Sequence, residues 1–139
     1  MATTILDNEA VQALVDPRHR KHRRMLALCE AAHHRGAHRR SIDAVLVPVA
    51  VRVEAGWTRN GPEAARINLV SRARDVVLDT NRTNRATLIR RSLGVSVTDA
   101  TIGELIGSCA GPIQVITSDR DDSDRMAAYL GRSVEIIVL

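Results

Sequence analysis

The C-terminal third of the chain reads Pro112-Ile113-Gln114-Val115-Ile116-Thr117-Ser118-Asp119-Arg120-Asp121-Asp122, continues in a polar pattern to Leu130 and Gly131, and closes on Val134-Glu135-Ile136-Ile137-Val138. Residues 113–116 form a short β-branched run of the kind buried on both faces of a sheet. It ends in Thr117-Ser118-Asp119. Residues 121–130 have helical spacing, Gly131 supplies a stop, and residues 134–138 are a last strand. A strand, a helix and a second strand in so few residues point to a parallel sheet with helices over it.

The same alternation extends back to the N-terminus. Residues 3–6 are a short apolar strand ending at Asp7. Asn8 is placed to cap a helix through Val11, Leu14 and Val15, which Asp16-Pro17 interrupts. A second helix is expected over residues 18–35, with Met25, Leu26, Leu28, Cys29 and Ala32 as its apolar stripe and Gly36 as its stop. Residues 42–47 are a strand, 51–58 a short helix carrying Glu54, and Asn60-Gly61-Pro62 a turn. Helix 63–73, strand 76–78 and helix 80–93 follow, the last with Ala86, Leu88, Ile89 and Leu93 inward. A further helix opens at Thr98-Asp99 and runs to Ile106. The expectation is an α/β fold, a three-layer α/β/α sandwich around a short parallel sheet, in a single domain over residues 1–139.

Composition narrows the function classes. The 139 residues are 45% hydrophobic and 26% charged, which fits a globular chain and excludes a disordered one. No apolar run approaches the roughly 20 residues of a membrane span, and residues 1–7 lack the pattern of a signal peptide. Cys29 and Cys109 form neither a disulfide framework nor a C-x-x-C pair, so a reducing, cytoplasmic setting is expected and both are read as packing residues. Trp57 and Tyr129 are the only aromatics, too few for base-stacking platforms.

The informative residues are acids at the ends of strands and the starts of helices. Asp7 follows the first strand, Asp119 the strand at 113–116, Asp99 opens a helix, and Glu54 stands alone in Val49-Ala50-Val51-Arg52-Val53-Glu54-Ala55 among neighbours that look buried. In a parallel sheet these junctions share the carboxyl edge, where ligands bind. Carboxylates gathered there repel one another and raise each other's pKa. A divalent cation removes that penalty, and Mg²⁺ or Mn²⁺ suits an all-oxygen donor set. Metal-assisted phosphodiester hydrolysis is the chemistry such a cluster favours. Taken singly, Asp99 reads better as a helix cap than as a ligand, and Asp7 equally as a turn residue.

The segments Ile5-Leu6-Asp7, Glu54, Val97-Thr98-Asp99-Ala100-x-Ile102 and Val115-Ile116-Thr117-Ser118-Asp119-x-Asp121-Asp122 resemble, in order and spacing, the PIN domains, above all the short VapC-type toxin ribonucleases. The resemblance runs over essentially the whole chain. It implies a metal-dependent endoribonuclease in which Asp7, Glu54, Asp99 and Asp119 match the family's acidic quartet. Asp122 shares or takes the fourth role, and Thr117 matches a supporting hydroxyl. It also implies Mg²⁺ or Mn²⁺, a tRNA or rRNA substrate, a small antitoxin partner and a homodimer. The chain departs from the pattern at Asn8-Glu9, where the family favours small or hydroxyl residues; Glu9 is expected to face solvent. The non-enzymatic alternative is a PIN-like RNA- or protein-binding module. A phosphoacceptor receiver domain is a third small α/β fold with clustered acids, but it needs a lysine beside the acid, and the only lysine here is Lys21.

That lysine lies in an uneven charge distribution. The net charge is +4, yet residues 18–40 hold eight Lys/Arg, all five histidines and a single acid, Glu30. Arg18, Arg20, Lys21, Arg23 and Arg24 read as an RNA phosphate track, as a solvated helix face, or as a docking surface for an acidic segment. Arg82, Arg85, Arg90 and Arg91 form a second basic face. His34 and His38 have i, i+4 spacing but no third ligand that would make a zinc site.

Overall fold

The computed structural model describes residues 2–38, 44–56, 58–61 and 74–139. Its elements are β1 (Thr3–Leu6), α1 (Asn8–Val15), α2 (His22–His38), β2 (Ala44–Pro48), α3 (Val49–Ala55), β3 (Arg74–Val76), α4 (Thr80–Leu93), α5 (Val97–Ser108), β4 (Ile113–Thr117), α6 (Arg120–Leu130) and β5 (Val134–Val138). The five strands form one sheet in the order β3-β2-β1-β4-β5, every neighbouring pair parallel. Helices pack on this sheet in a three-layer α/β/α sandwich, as the alternation of elements implies.

The order turns at β1. The chain steps outward from β1 to β2 and β3, then returns to the other side of β1 for β4 and β5. With right-handed crossovers, the first set of connections lies on one face and the second on the other. A crevice therefore opens between the carboxyl ends of β1 and β4, the position where open parallel sheets bind ligands. The receivers' order of 2-1-3-4-5 is different, which removes the phosphoacceptor reading.

β1 and β4 lie at the centre and every residue of both is buried. Their registers pair Ile5 with Val115 and Leu6 with Ile116. The core adds Val45 and Val47 from β2, Ala10, Val11 and Leu14 from α1, Met25, Cys29 and Ala32 from α2, Leu105 and Ile106 from α5, and Met126 from α6. Gly103 brings α4, α5 and α6 into close approach. A Cβ there would meet Met126 Sδ at 2.8 Å and Ile89 Cγ2 at 3.3 Å. Among the described residues no helix is long and apolar enough to cross a membrane.

Several expectations are corrected. Helix α2 starts at His22, not Arg18, because residues 17–21 are spent on turns. Asp16 Oδ1 accepts the Arg18 N–H at 2.9 Å, and His19 Nδ1 accepts the Lys21 N–H at 3.1 Å. The same helix runs through Gly36 to His38, since glycine permits a helix stop without forcing one. Helix α3 begins earlier, at Val49, and ends at Gly56, whose φ of 76° closes it. Strand β3 precedes the expected 76–78, with Val77 exposed. Leu88 is 59% exposed rather than inward: α4 rests on buried Ala86 and Ile89 and on half-buried Leu93. The expected helix at 63–73 lies outside the described residues.

Candidate active site

The carboxyl edge gathers acids from four separate elements. Asp7, Asn8, Glu9, Gln12, Glu54, Ser96, Thr98, Asp99, Ile102, Ser118 and Asp119 line one cleft of about 180 Å³. Asp7, Glu54, Asp99 and Asp119 are thus brought together from positions spread over more than 110 residues.

Asp7 is the most constrained. It is the N-cap of α1, its Oδ1 accepting the Ala10 N–H at 2.8 Å, while Oδ2 accepts the Ser118 N–H at 3.0 Å across the sheet. Its own N–H donates to the Ile116 carbonyl. Asp7 therefore ties the end of β1 to the end of β4 and displaces Asn8 as the cap. Burial pushes its carboxyl above the ordinary aspartate value. Hydrogen bonds from Thr117, Ala10 and Ser118 pull it back, and the charge of Glu9 adds to the rise.

Asp119 is the N-cap of α6, its Oδ1 accepting the Asp122 N–H at 3.1 Å. The Thr117 hydroxyl accepts the Asp119 N–H at 2.9 Å and fixes the loop between strand and helix. Asp99 does not cap its helix. Ser96 does, accepting the Asp99 N–H at 3.1 Å, and its hydroxyl donates to Asp99 Oδ2 at 2.5 Å. Ser96 and Asp99 are thus joined twice through the one hydroxyl, which accepts from the Asp99 peptide and donates to its carboxylate. Asp7, Asp99 and Asp119 all sit in the opening turn of a helix, where the macrodipole favours negative charge. Three helix starts facing one crevice offset part of the repulsion among its acids.

Glu54 is exposed rather than buried, and it has no hydrogen-bond or ion-pair partner among the described residues. Its helix is half solvent-facing, as the 78% exposure of Val53 shows. Asp122, among the described residues, does not line the cleft; its Oδ1 takes Arg125 at 3.0 Å. Glu9 does not simply face solvent. It lines the cleft and binds Lys21 Nζ at 2.6 Å, which holds its carboxyl below the usual range.

Among the described residues the donors facing the crevice are carboxylates, hydroxyls and side-chain amides, with no thiol or imidazole. That chemistry suits a hard cation. Among the described residues, however, no three His, Cys, Asp or Glu side chains converge as a ready metal site. The chain matches no protein-family model and no curated protein. The support for a function is therefore the geometry of this cleft.

Two features escaped the sequence reading. Ser96 is found by the Ser-x-x-Asp spacing once Asp99 is recognised as the third helical position rather than the cap. Glu104 is buried with its side chain 1% exposed and is held by Arg82 at 2.7 Å and Arg85 at 2.7 Å. Half of the supposed second basic face is thus committed to a structural ion pair, leaving Arg90 and Arg91.

Proposed function

We propose that the chain is a metal-dependent endoribonuclease of the PIN type, acting as the toxin of a type II toxin–antitoxin pair. The observation that carries the reading is the single cleft at the sheet's switch point into which Asp7, Glu54, Asp99 and Asp119 all project. Asp7, Asp99 and Asp119 are the residues that would hold Mg²⁺ or Mn²⁺, with Glu54 completing the set. A bound ion supplies charge neutralisation and a lowered pKa for an attacking water. The chain's own part is to position these groups. Ser96 orients Asp99, Thr117 fixes the loop of Asp119, and the Ala10 and Ser118 peptides fix Asp7. Glu54 retains the freedom to turn toward an incoming cation.

The substrate in this reading is a structured RNA of the tRNA or rRNA class, and the regulator a small antitoxin that blocks the cleft. A homodimer and a cytoplasmic setting belong to the same proposal. The test is cleavage of total tRNA and rRNA by purified protein with Mn²⁺, Mg²⁺ or EDTA, beside Asp99→Asn. Metal-dependent cuts are expected, falling by about 100-fold or more in the variant, since even residues that only support a metal ligand contribute 10–100-fold. Full activity in Asp99→Asn would sink the assignment.

The second reading, a PIN-like binding module without catalysis, draws on the lack of a ready metal group among the described residues. RNA binding that persists in EDTA, with no cleavage in either metal, would establish it.

A further inference from the structure

The Glu9–Lys21 contact joins two features that are far apart in character, the acidic cleft and the arginine-rich turn. Lys21 Nζ lies 2.6 Å from Glu9 Oε1, with only 16% of the lysine side chain exposed, and His19 Nε2 stands 3.9 Å from the same oxygen. Glu9 is part of the cleft wall. The turn at residues 17–21 and the first residues of α2 are therefore anchored at the cleft mouth. Arg18, Arg20, Arg23 and Arg24 are all exposed there. Arg18 is engaged by Asp16 at 3.5 Å, whereas Arg20, Arg23 and Arg24 make no side-chain hydrogen bond or ion pair among the described residues, Arg20 acting on Glu9 only through its charge.

We infer that the segment Arg18–Arg24 is a track for the phosphate backbone of an RNA strand, with Lys21 as the cation at its cleft end. This rests on the nuclease reading of the cleft and assigns the surface that delivers its substrate. The chemistry of the segment favours a polyanion over a protein. Among the described residues the exposed large hydrophobics are Val53, Val77, Leu88, Val97 and Tyr129, and none lies in this segment. A protein partner would find no apolar anchor, and such anchors dominate protein interfaces. A phosphate backbone needs only positive charge and hydrogen-bond donors, which arginine supplies in a bidentate fork. Phe, Tyr and Trp are absent between Arg18 and Arg24, and the half-buried imidazoles of His19 and His22 are held by the Lys21 N–H and the Ala13 carbonyl, so the contacts position the strand through its phosphates. Lys21 is a positioning residue: Glu9 holds it ready, and an incoming phosphate oxygen takes the carboxylate's place.

The test is equilibrium binding of a fluorescein-labelled 20-nucleotide RNA to the full chain in EDTA, over a range of salt concentrations. The proteins are wild type, the triple variant Arg20→Ala/Arg23→Ala/Arg24→Ala, and Lys21→Met. Each lost phosphate contact lowers the salt slope of the binding constant by about 0.7. The triple variant is expected to lose about 2 units of slope and Lys21→Met about 0.7, with unchanged thermal melting. Equal slopes in all three proteins overturn the track. So does a triple variant that keeps its RNA slope but loses binding to a poly-glutamate peptide, which would give the surface to an acidic protein. Cleavage is absent from this assay, so a failed track and a failed nuclease assignment are read separately, the latter from Asp99→Asn.

Discussion

Glu104 offers the sharpest test of how the cleft is held in place. It sits in α5, five residues after Asp99, and its carboxylate is almost wholly removed from water. Arg82 donates to Oε2 at 2.7 Å, and Arg85 donates to Oε1 through Nε at 3.0 Å and through its terminal nitrogen at 2.7 Å. The two arginines are 29% and 51% exposed, so their free ends reach solvent. The consequence is an asymmetry. Arg82→Met/Arg85→Met leaves a buried carboxylate without a counter-charge, a loss of about 3–5 kcal/mol. Glu104→Met removes the buried charge and keeps the volume, and both arginines turn to water. That change costs under about 1.5 kcal/mol by the usual cost of volume-conserving exchanges. Urea unfolding followed by circular dichroism reads the difference. With a slope of about 2 kcal/mol per molar, the double arginine variant shifts its midpoint down by about 2 M and Glu104→Met by less than about 0.8 M. A Glu104→Met midpoint at or below that of the arginine variant would refute the reasoning, because the ion pair would then contribute net attraction beyond its desolvation cost.

Three further outcomes follow from particular contacts. Gly103→Ala places a methyl 2.8 Å from Met126 Sδ, beside Ile89, and is expected to cost about 1–3 kcal/mol in the same urea assay; a neutral result would mean that the Met126 thioether swings aside without cost. Ser96→Ala removes both the α5 cap and the hydroxyl on Asp99, so cleavage should fall by about 10–100-fold with about 1 kcal/mol of stability, whereas a stability loss alone would limit Ser96 to capping. Burial pushes the Cys29 thiol up to about 12, so thiol reagents at pH 8 should spare it in the folded protein and label it in urea. Its folded value lies above its unfolded one, so the stability it contributes is complete below pH 9 and declines as pH rises toward 12.

The strands at 3–6 and 134–138 and the helix at 80–93 were legible residue for residue, because their signals are local. A β-branched run bounded by polar residues specifies a buried strand, and a glycine placed to leave the helix in the left-handed region ends α4 at Gly94. Boundaries slipped where side chains bonded the backbone instead. Asp16 and His19 turned residues 17–21 away from helix in a segment whose spacing alone reads as one. Leu88 was misplaced because helical spacing gives α4 an apolar stripe, while the helix turns only Ala86, Ile89 and Leu93 of it toward the core.

The site divides in the same way. The sequence by itself determined which acids stand at the carboxyl ends of strands and the starts of helices, since that follows from element order in an α/β chain. It also determined that positive charge is concentrated in residues 18–40. The tertiary structure decided which of those groups meet. The turn in strand order at β1 puts Asp7 beside Ser118 and Asp119, a proximity no local signal encodes. It made Asp119 rather than Asp122 part of the cleft wall, gave Asp122 to Arg125, and set Glu54 at an exposed edge. It also placed Glu9 against Lys21, twelve residues away, and Glu104 against two arginines of the preceding helix. Charge and periodicity are properties of a chain; a pairing between groups on different elements exists only once the sheet order and the helix packing bring those elements together.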